Sequence, residues 1–174
     1  MPKLASFSIG LDYSQMCIYD PSLEFPGNDW DDQHVDQGFT WRPFSVSFRT
    51  IGSDDDCDIE IWDASEISIQ PNAVRAIVVP FSVPMSGSIV ITGGTSVVPE
   101  HELKLPSDEY ALVFEYGLRE EYWQNPEYQE PDALFIPTWS RLTFIPDRSV
   151  EPRILRADSD LSPSYPLLME ARPA

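Results

Sequence analysis

Residues 54–63 read Asp-Asp-Asp-Cys-Asp-Ile-Glu-Ile-Trp-Asp, and from residue 56 to residue 61 acidic and apolar residues alternate. A period of two is typical of a β-strand with one buried and one solvated face. The residues predicted to face a core are Cys57, Ile59 and Ile61. The residues predicted to face outward are Asp56, Asp58 and Glu60. These three carboxylates would form a row with intervals of about 6.6 Å, at a rise of about 3.3 Å per residue.

The same alternation recurs along the chain and sets the fold class. It covers Phe7 to Tyr13, Phe44 to Phe48, Leu112 to Tyr116 and Leu142 to Phe144. Continuous apolar runs at 76–79 and 88–91 are typical of strands covered on both faces. Many short strands separated by turn residues favour a sandwich or a barrel. We expect an all-β fold, mainly an antiparallel β-sandwich.

One short helix is predicted near residues 29–38. Asn28 or Asp29 can cap its start, acidic residues follow in the first turn, and Gly38 can close its end. At most three or four turns fit there, so the helix would lie against the sheet as a connector. We expect Trp30, within it, to anchor to the core.

The length of 174 residues suits one domain, which we place at residues 1–146. Residues 147–174 are rich in proline, and we expect an extension that packs on the domain or is partly disordered. The segment from Gly117 to Pro137 is too long for a hairpin turn and is both acidic and aromatic. Loops of this kind usually carry a function.

The charge of the chain restricts its partners. It has 29 Asp and Glu against 11 Lys and Arg, a formal net charge of -18. Such a surface repels nucleic acid and anionic membranes and attracts basic proteins. There is also no apolar run of about 18 residues, so we expect no membrane insertion. We predict a cytoplasmic protein with two buried thiols, no direct contact with nucleic acid, and a cationic protein partner.

Catalytic chemistry has little support in the sequence. The two histidines, His34 and His101, lie near no recognisable nucleophile motif, and Cys57 should point inward, where a thiol is inert. We therefore expect no enzyme, no cofactor and no metal. One alternative stays open, a calcium-dependent β-sandwich binding module, because Asp54, Asp55, Asp56 and Asp58 could supply oxygen ligands. Their spacing is not that of an EF-hand loop.

The row of outward acids has two interpretations. Anions at such intervals loosely resemble successive phosphates of a nucleic-acid strand, which would let the protein occupy the basic cleft of a nuclease. Alternatively, the row is a solvated strand face whose charges deter edge-to-edge aggregation. Charge alone does not separate the two.

Four stretches, in this order and spacing, resemble the competence protein J family, also called the nuclease-inhibitor family. They are Ile-Gly-Leu-Asp-Tyr-Ser-Gln at 9–15, Asp-Trp-Asp-Asp at 29–32 running to Gly38-Phe39, Val-Pro-Phe-Ser-Val at 79–83, and Leu-Pro-Ser-Asp-Glu-Tyr at 105–110. The resemblance extends from about residue 5 to residue 145. It implies an inhibitor of a small nuclease of bacterial competence, with immunity proteins against toxin nucleases among its relatives. These stretches indicate the fold of the family and do not define an inhibitory site.

The resemblance and the charge together predict an acidic inhibitor that blocks the basic substrate cleft of a nuclease. Acidic residues would steer the encounter and aromatic residues would hold the complex. The predicted partner-binding residues are Asp54, Asp55, Asp56, Asp58, Glu60, Asp63, Glu120, Glu121, Tyr122, Trp123 and Tyr128. For the aromatic residues the alternative is a loop folded back on a small cluster of its own.

Overall fold

The structure is a computed structural model that describes residues 1–51, 54–94, 101–133 and 135–174, with only the backbone described at residues 54 and 55. In chain order the strands are β1 Lys3–Asp12, β2 Gln15–Tyr19, β3 Phe39–Arg42, β4 Ser45–Arg49, β5 Asp54–Asp63, β6 Arg75–Ser82, β7 Ser88–Gly93, β8 His101–Lys104, β9 Glu109–Leu118, β10 Pro137–Pro146 and β11 Arg153–Arg156. The helices are α1 Asp32–Gln37, α2 Glu120–Gln124 and a 3-10 helix at Pro126–Gln129.

The strands form two sheets that pack face to face. The larger sheet has six strands in the order β1-β5-β10-β9-β6-β11, and the smaller has five in the order β3-β4-β2-β7-β8. Neighbouring strands are antiparallel except β5 and β10, which run parallel. The all-β, mainly antiparallel sandwich predicted from the sequence is confirmed.

The core lies between the sheets and is built from the inward residues of each strand. Phe48 of β4 stacks on Phe114 of β9 with ring centroids 4.4 Å apart, which joins the two sheets at the centre. The residues predicted to face inward from β5, Cys57, Ile59 and Ile61, are all fully buried. Each buried aliphatic side chain contributes roughly 1.5–3 kcal/mol, so the alternation in β5 fixes which face of the strand meets the core.

Two aromatic residues predicted to continue strands lie in turns instead. Tyr13 follows the end of β1 with a φ of 52° and a side chain that is 73% exposed. Phe44 follows Pro43 with a φ of 65°, as expected of the third residue of a type II turn with proline second. Alternation alone cannot mark the last residue of a strand, because a turn residue continues the same apolar spacing.

Helix α1 confirms the predicted short helix, with a different start. Its N-cap is Asp31, not Asn28 or Asp29, and Asp31 and His34 form a reciprocal capping box. Gly38 closes the helix in the left-handed conformation, with a φ of 85°. Trp30, expected as a core anchor, is half-buried and donates its indole N–H to the side chain of Gln15 at 3.1 Å.

Within the segment expected to be an irregular loop, α2 and the 3-10 helix follow β9 directly. Helix α2 is a short helix whose N-cap residue, Arg119, provides no side-chain cap. Asn125 caps the 3-10 helix by accepting from the amide of Glu127 at 3.0 Å. The sequence contains few local signals for α2, which explains why pattern reading missed it.

Residues 147–174 contribute β11 to the edge of the larger sheet and then cross to the smaller one. The guanidinium of Arg75, which is fully buried, donates to both carboxylate oxygens of Asp158, at 2.9 and 3.1 Å. Further along, the side chain of Gln37 donates to the carbonyl of Leu168 and accepts from its amide, both at 2.8 Å. Across the described ranges, no helix is long and apolar enough to span a membrane.

Candidate functional site

One end of the larger sheet collects residues from four strands. β5 and the parallel β10 begin there, while β1 and β9 end there. The amide of Arg119 donates to the carbonyl of Pro137 at 3.0 Å, which ties the end of β9 to the start of β10. We call this region, residues 10–13, 54–56, 118–133 and 135–137, the acidic end. It places the acidic start of β5 beside the acidic and aromatic segment that follows β9.

The predicted acids do not all lie in this region. Asp54, Asp55 and Asp56 are at the start of β5, whereas Asp63 is its last residue. A strand of this length spans about 30 Å at roughly 3.3 Å per residue, so Asp63 lies at the opposite end of the sheet. There it borders a depression together with Pro2 and Pro146. The acidic run of the sequence is therefore divided between two surfaces.

Glu60, the last acid of the predicted row, is neutralised by neighbouring cations. Glu60 lies 2.6 Å from the ammonium of Lys3 and 3.6 Å from the guanidinium of Arg141. It also accepts from the indole N–H of Trp62 at 2.9 Å, and both cations lie over the Trp62 ring. Glu60 is thus part of a local network on the sheet surface rather than an unpaired anion.

Asp58 and Asp56 are paired with a cation from outside their strand. Nη1 of Arg119 donates to Oδ2 of Asp58 at 2.7 Å, and Nη2 of the same residue lies 3.7 Å from Oδ2 of Asp56. Arg119 also lies 3.9 Å from Glu121 of α2. The hydroxyl of Ser8 on β1 donates to Asp58 as well. Arg119 therefore links the start of α2 to the outer face of β5.

These contacts keep both carboxylates ionised. For Glu60, the hydrogen bond from Lys3 is the main cause that lowers the pKa, and partial burial opposes it. For Asp58, burial alone would raise the pKa, but the hydrogen bonds from Ser8 and Arg119 outweigh it and hold the pKa below its ordinary value. The row is charged at neutral pH, although its charges are largely compensated within the fold.

The aromatic residues of the acidic end differ in exposure. Trp123 on α2 is 64% exposed and meets Tyr122 edge to face, with ring centroids 4.9 Å apart. Tyr122 and Tyr128 are half-buried. Phe135, just before β10, is 66% exposed, and Tyr13 at the end of β1 is exposed too. Sequence reading missed Phe135 and Tyr13 as surface residues, because both have a left-handed backbone, with φ of 57° and 52°, that no local pattern indicated.

The remaining charged residues of the predicted site lie on α2. Glu120 and Glu121 occupy its first turn and are exposed. The carboxylates at or beside the acidic end include those of Asp12, Asp56, Asp58, Glu120 and Glu121, and Arg119 is the cation that pairs with Asp56, Asp58 and Glu121. This end has a net negative charge even after its ion pairs are counted.

Neither histidine is arranged for catalysis. His34 is buried in the capping box of α1, where its Nδ1 accepts from the amide of Asp31 at 3.1 Å. His101 stacks on Phe7 with ring centroids 3.8 Å apart. Among the side chains that the structure describes, which exclude those of residues 54 and 55, no group of three or more His, Cys, Asp or Glu is placed to hold a metal ion.

The fold and this region define a two-sheet β-sandwich protein with an acidic, aromatic surface at one end of its larger sheet. Residues 8–145 match the family described as competence protein J (ComJ). The chain belongs to the competence protein J family, as its resemblance in sequence implied. The matched span includes the second half of β1, all of β2 to β9 and nearly all of β10, and thus the whole acidic end.

Two solved structures share the fold. The crystal structure of ComJ, inhibitor of the DNA degrading activity of NucA, from Bacillus subtilis superposes with a TM-score of 0.64 at 16% identity, covering 84% of this chain and 98% of that one. The crocagin biosynthetic gene J protein superposes with a TM-score of 0.54 at 16% identity, covering 85% of this chain and all of the other. No curated protein matches the chain in sequence.

Proposed function

We propose that this protein inhibits a nuclease by binding it and covering its cationic substrate cleft, with no chemistry of its own. Membership of the competence protein J family supports the proposal. The shared fold with ComJ, the inhibitor of the DNA degrading activity of NucA, supports it as well. We propose that the acidic end is the surface that contacts the nuclease.

The observation that carries this assignment is the convergence of carboxylates and exposed aromatic rings at one end of the larger sheet. Large aromatic side chains dominate the affinity of protein interfaces, and surrounding charges set the encounter rate and the specificity. Trp123 and Phe135 are each more than half exposed beside the acidic residues. Exposed apolar side chains rimmed by polar residues are typical of protein interaction sites.

The ion pairs of β5 restrict which of the predicted acidic residues can contact the nuclease. A bare row of anions would copy a phosphate backbone, but Glu60 and Asp58 already have cationic partners within the fold. Asp56 and Glu121 lie farther from the guanidinium of Arg119, at 3.7 and 3.9 Å, so their charges are less compensated. We therefore propose that the nuclease meets Asp54, Asp55 and Asp56 with Glu120 and Glu121, and that Tyr122, Trp123 and Tyr128 line the same contact. Asp63, at the far end of β5, lies outside this surface.

The test is a titration of DNA degradation. Purified NucA of Bacillus subtilis, and any nuclease that is encoded beside this gene, are each given plasmid DNA and increasing amounts of the protein. Complete inhibition near a one-to-one ratio is the expected result. Unchanged degradation by both nucleases at a large excess of the protein would reject the proposal.

The role of charge is tested by measuring the binding kinetics of the protein and the nuclease at two salt concentrations. Association rates are measured at about 50 mM and about 300 mM salt, which shortens the Debye length from roughly 14 Å to roughly 6 Å. If acids steer the encounter, the association rate falls steeply while the dissociation rate changes little. An association rate that does not respond to salt would contradict steering and leave aromatic contacts as the main source of affinity.

We place this encounter in the cytoplasm. Cys17 and Cys57 are both buried, and no disulfide joins them, as suits a reducing compartment. The same physical device would serve competence or immunity against a toxin nuclease. Which nuclease is inhibited in the titration distinguishes these two roles.

A further inference from the structure

A groove of about 470 Å³ opens at the acidic end between the last residues of β1 and the residues that precede β10. Asp12 and Asp56 line one part of it, and the rings of Tyr128 and Phe135 line another. Gly10 contributes to its lining on β1, opposite Asp56 in the register of the sheet. The groove thus combines two carboxylates with two aromatic rings.

Gly10 leaves this groove open. A Cβ built at Gly10 would have no described atom within 4 Å, so a side chain there would project into empty space. The backbone at Gly10 is not left-handed, so its conformation does not require glycine. The space around it would also accept a Cβ, so packing within the fold does not require glycine either. Glycine weakens a strand interior and marks places where another group approaches closely. A ligand entering the groove is such a group.

The electrostatics of the groove favour a cation. Arg119 also borders it, but its guanidinium is held by Asp58 at 2.7 Å, by Asp56 at 3.7 Å and by Glu121 at 3.9 Å. These are three carboxylates against one guanidinium. A second cation could therefore bind beside Arg119 without a net excess of positive charge.

We propose that this groove receives an arginine side chain of the nuclease, an inference that rests on the proposed function. A guanidinium is flat, stacks on aromatic faces and donates to two carboxylate oxygens at once. Tyr128 and Phe135 supply the faces, and the carboxylate of Asp56 supplies the oxygens. A lysine ammonium would gain the charge contact but not the stacking, so the groove selects arginine over lysine.

The first experiment fills the groove. Gly10→Leu places a branched side chain in the open space, and we expect inhibition of NucA to weaken by at least about tenfold while the melting temperature is retained. Ser6→Leu is the matched control, because Ser6 is exposed on the same face of β1, about 13 Å away at a rise of roughly 3.3 Å per residue. This control should inhibit like the unmodified protein.

A second variant removes one wall without adding bulk. Phe135→Asn deletes the ring, and asparagine tolerates the φ of 57° at this position. Inhibition should again weaken by roughly tenfold. If Gly10→Leu and Phe135→Asn are both folded and both inhibit NucA as the unmodified protein does, the groove does not bind the nuclease and the proposal is overturned.

A third measurement needs no nuclease and separates this inference from the proposed function. N-acetyl-arginine amide is titrated into the 15N-labelled protein, and amide chemical shifts are followed by NMR. The amides of residues 10–12 and 135 should move, N-acetyl-lysine amide should move them less, and Gly10→Leu should abolish the response. Equal responses to the two probes would overturn the selection of arginine. No response to either would overturn the groove as a cation site, even if the protein inhibits NucA.

If the unmodified protein fails to inhibit NucA and the neighbouring nuclease, the proposed function fails first. The NMR titration then decides the inference by itself. A response to arginine that Gly10→Leu removes would keep the groove as an arginine site for a different cationic protein. Absence of that response would reject it.

Discussion

Arg119, the residue that precedes α2, donates from Nη1 to Oδ2 of Asp58 on β5 at 2.7 Å. This contact joins two segments that lie 61 residues apart in the sequence. Burial alone would lower the pKa of Arg119, but the surrounding carboxylates, Asp58 first, outweigh burial and raise it, so the guanidinium stays charged. We therefore expect the position of the aromatic residues on α2 relative to the acidic strand to depend on this cation.

Replacing Arg119 tests that dependence. Arg119→Ala should lower the free energy of unfolding by only about 1 kcal/mol, because the ion pairs are partly exposed. It should nevertheless speed hydrogen exchange at the amide of Asn125, which donates to Glu121 within α2 at 3.1 Å, and it should weaken inhibition of the nuclease. Arg148→Ala, which removes the exposed pair with Asp108, is the matched control and should leave both measurements unchanged. Unaltered exchange in Arg119→Ala would show that α2 holds its position without the cation.

A substitution of Trp123 distinguishes a role in the interface from a role in packing. Because its side chain is 64% exposed, Trp123→Ala should leave the melting temperature nearly unchanged and should weaken inhibition by 2 kcal/mol or more, roughly thirtyfold. Phe25→Ala is the control, since Phe25 is 59% exposed outside the acidic end. A lower melting temperature with full inhibition would instead mean that Trp123 serves the fold of its own loop.

The ion pair between Arg75 and Asp158 predicts a large effect on stability from a residue far from the acidic end. Asp158→Ala leaves the fully buried guanidinium of Arg75 without its carboxylate, and removing one partner of a buried pair typically costs about 3 kcal/mol. Chemical denaturation measures this loss. Asp160→Ala, which removes an exposed carboxylate of the same segment, should change stability by less than about 0.5 kcal/mol. Similar values for the two variants would contradict the structural role of Asp158.

Because His34 is buried, we predict that the free energy of unfolding declines in mild acid. Burial lowers its pKa, and the charge of Asp31 opposes this only in part. The folded state therefore favours the neutral ring, whose contribution is present above the unfolded pKa of about 6.5 and is lost as the pH falls through the lower folded value. Thermal melting between pH 7.5 and pH 5.5 should show this decline. The lowered pKa values of Asp58 and Glu60 act only near pH 4 and below, outside this window.

His34→Gln is the matched variant for the pH effect. Glutamine can accept from the amide of Asp31 as the imidazole does, so the capping box is kept while the titrating group is removed. The variant should lose the decline in melting temperature between pH 7.5 and pH 5.5. A decline as steep as that of the unmodified protein would assign the pH dependence to other groups.

Local sequence patterns predicted the structure correctly where a residue's position depends on its neighbours in the chain. The alternation through β5 predicted which of its residues are buried, and Gly38 predicted the end of α1. Patterns failed where two conformations fit the same spacing, as at Tyr13, or where a helix lacks a capping side chain, as in α2. A turn or helix of that kind is decided by what the surrounding strands leave room for.

By itself the sequence determined that this is an acidic all-β protein with carboxylates on the outer face of β5 and an unusual aromatic segment after β9, because both depend on composition and on a period of two. Only the tertiary structure decided which of these groups meet. β5 pairs with β1 from the start of the chain and with β10 from its last third, and these pairings bring Arg119 onto Asp58. They also place Gly10 and Asp12 beside Phe135 and separate Asp63 from the rest of the acidic run. Contacts between such distant segments depend on strand order and register, which no local spacing specifies.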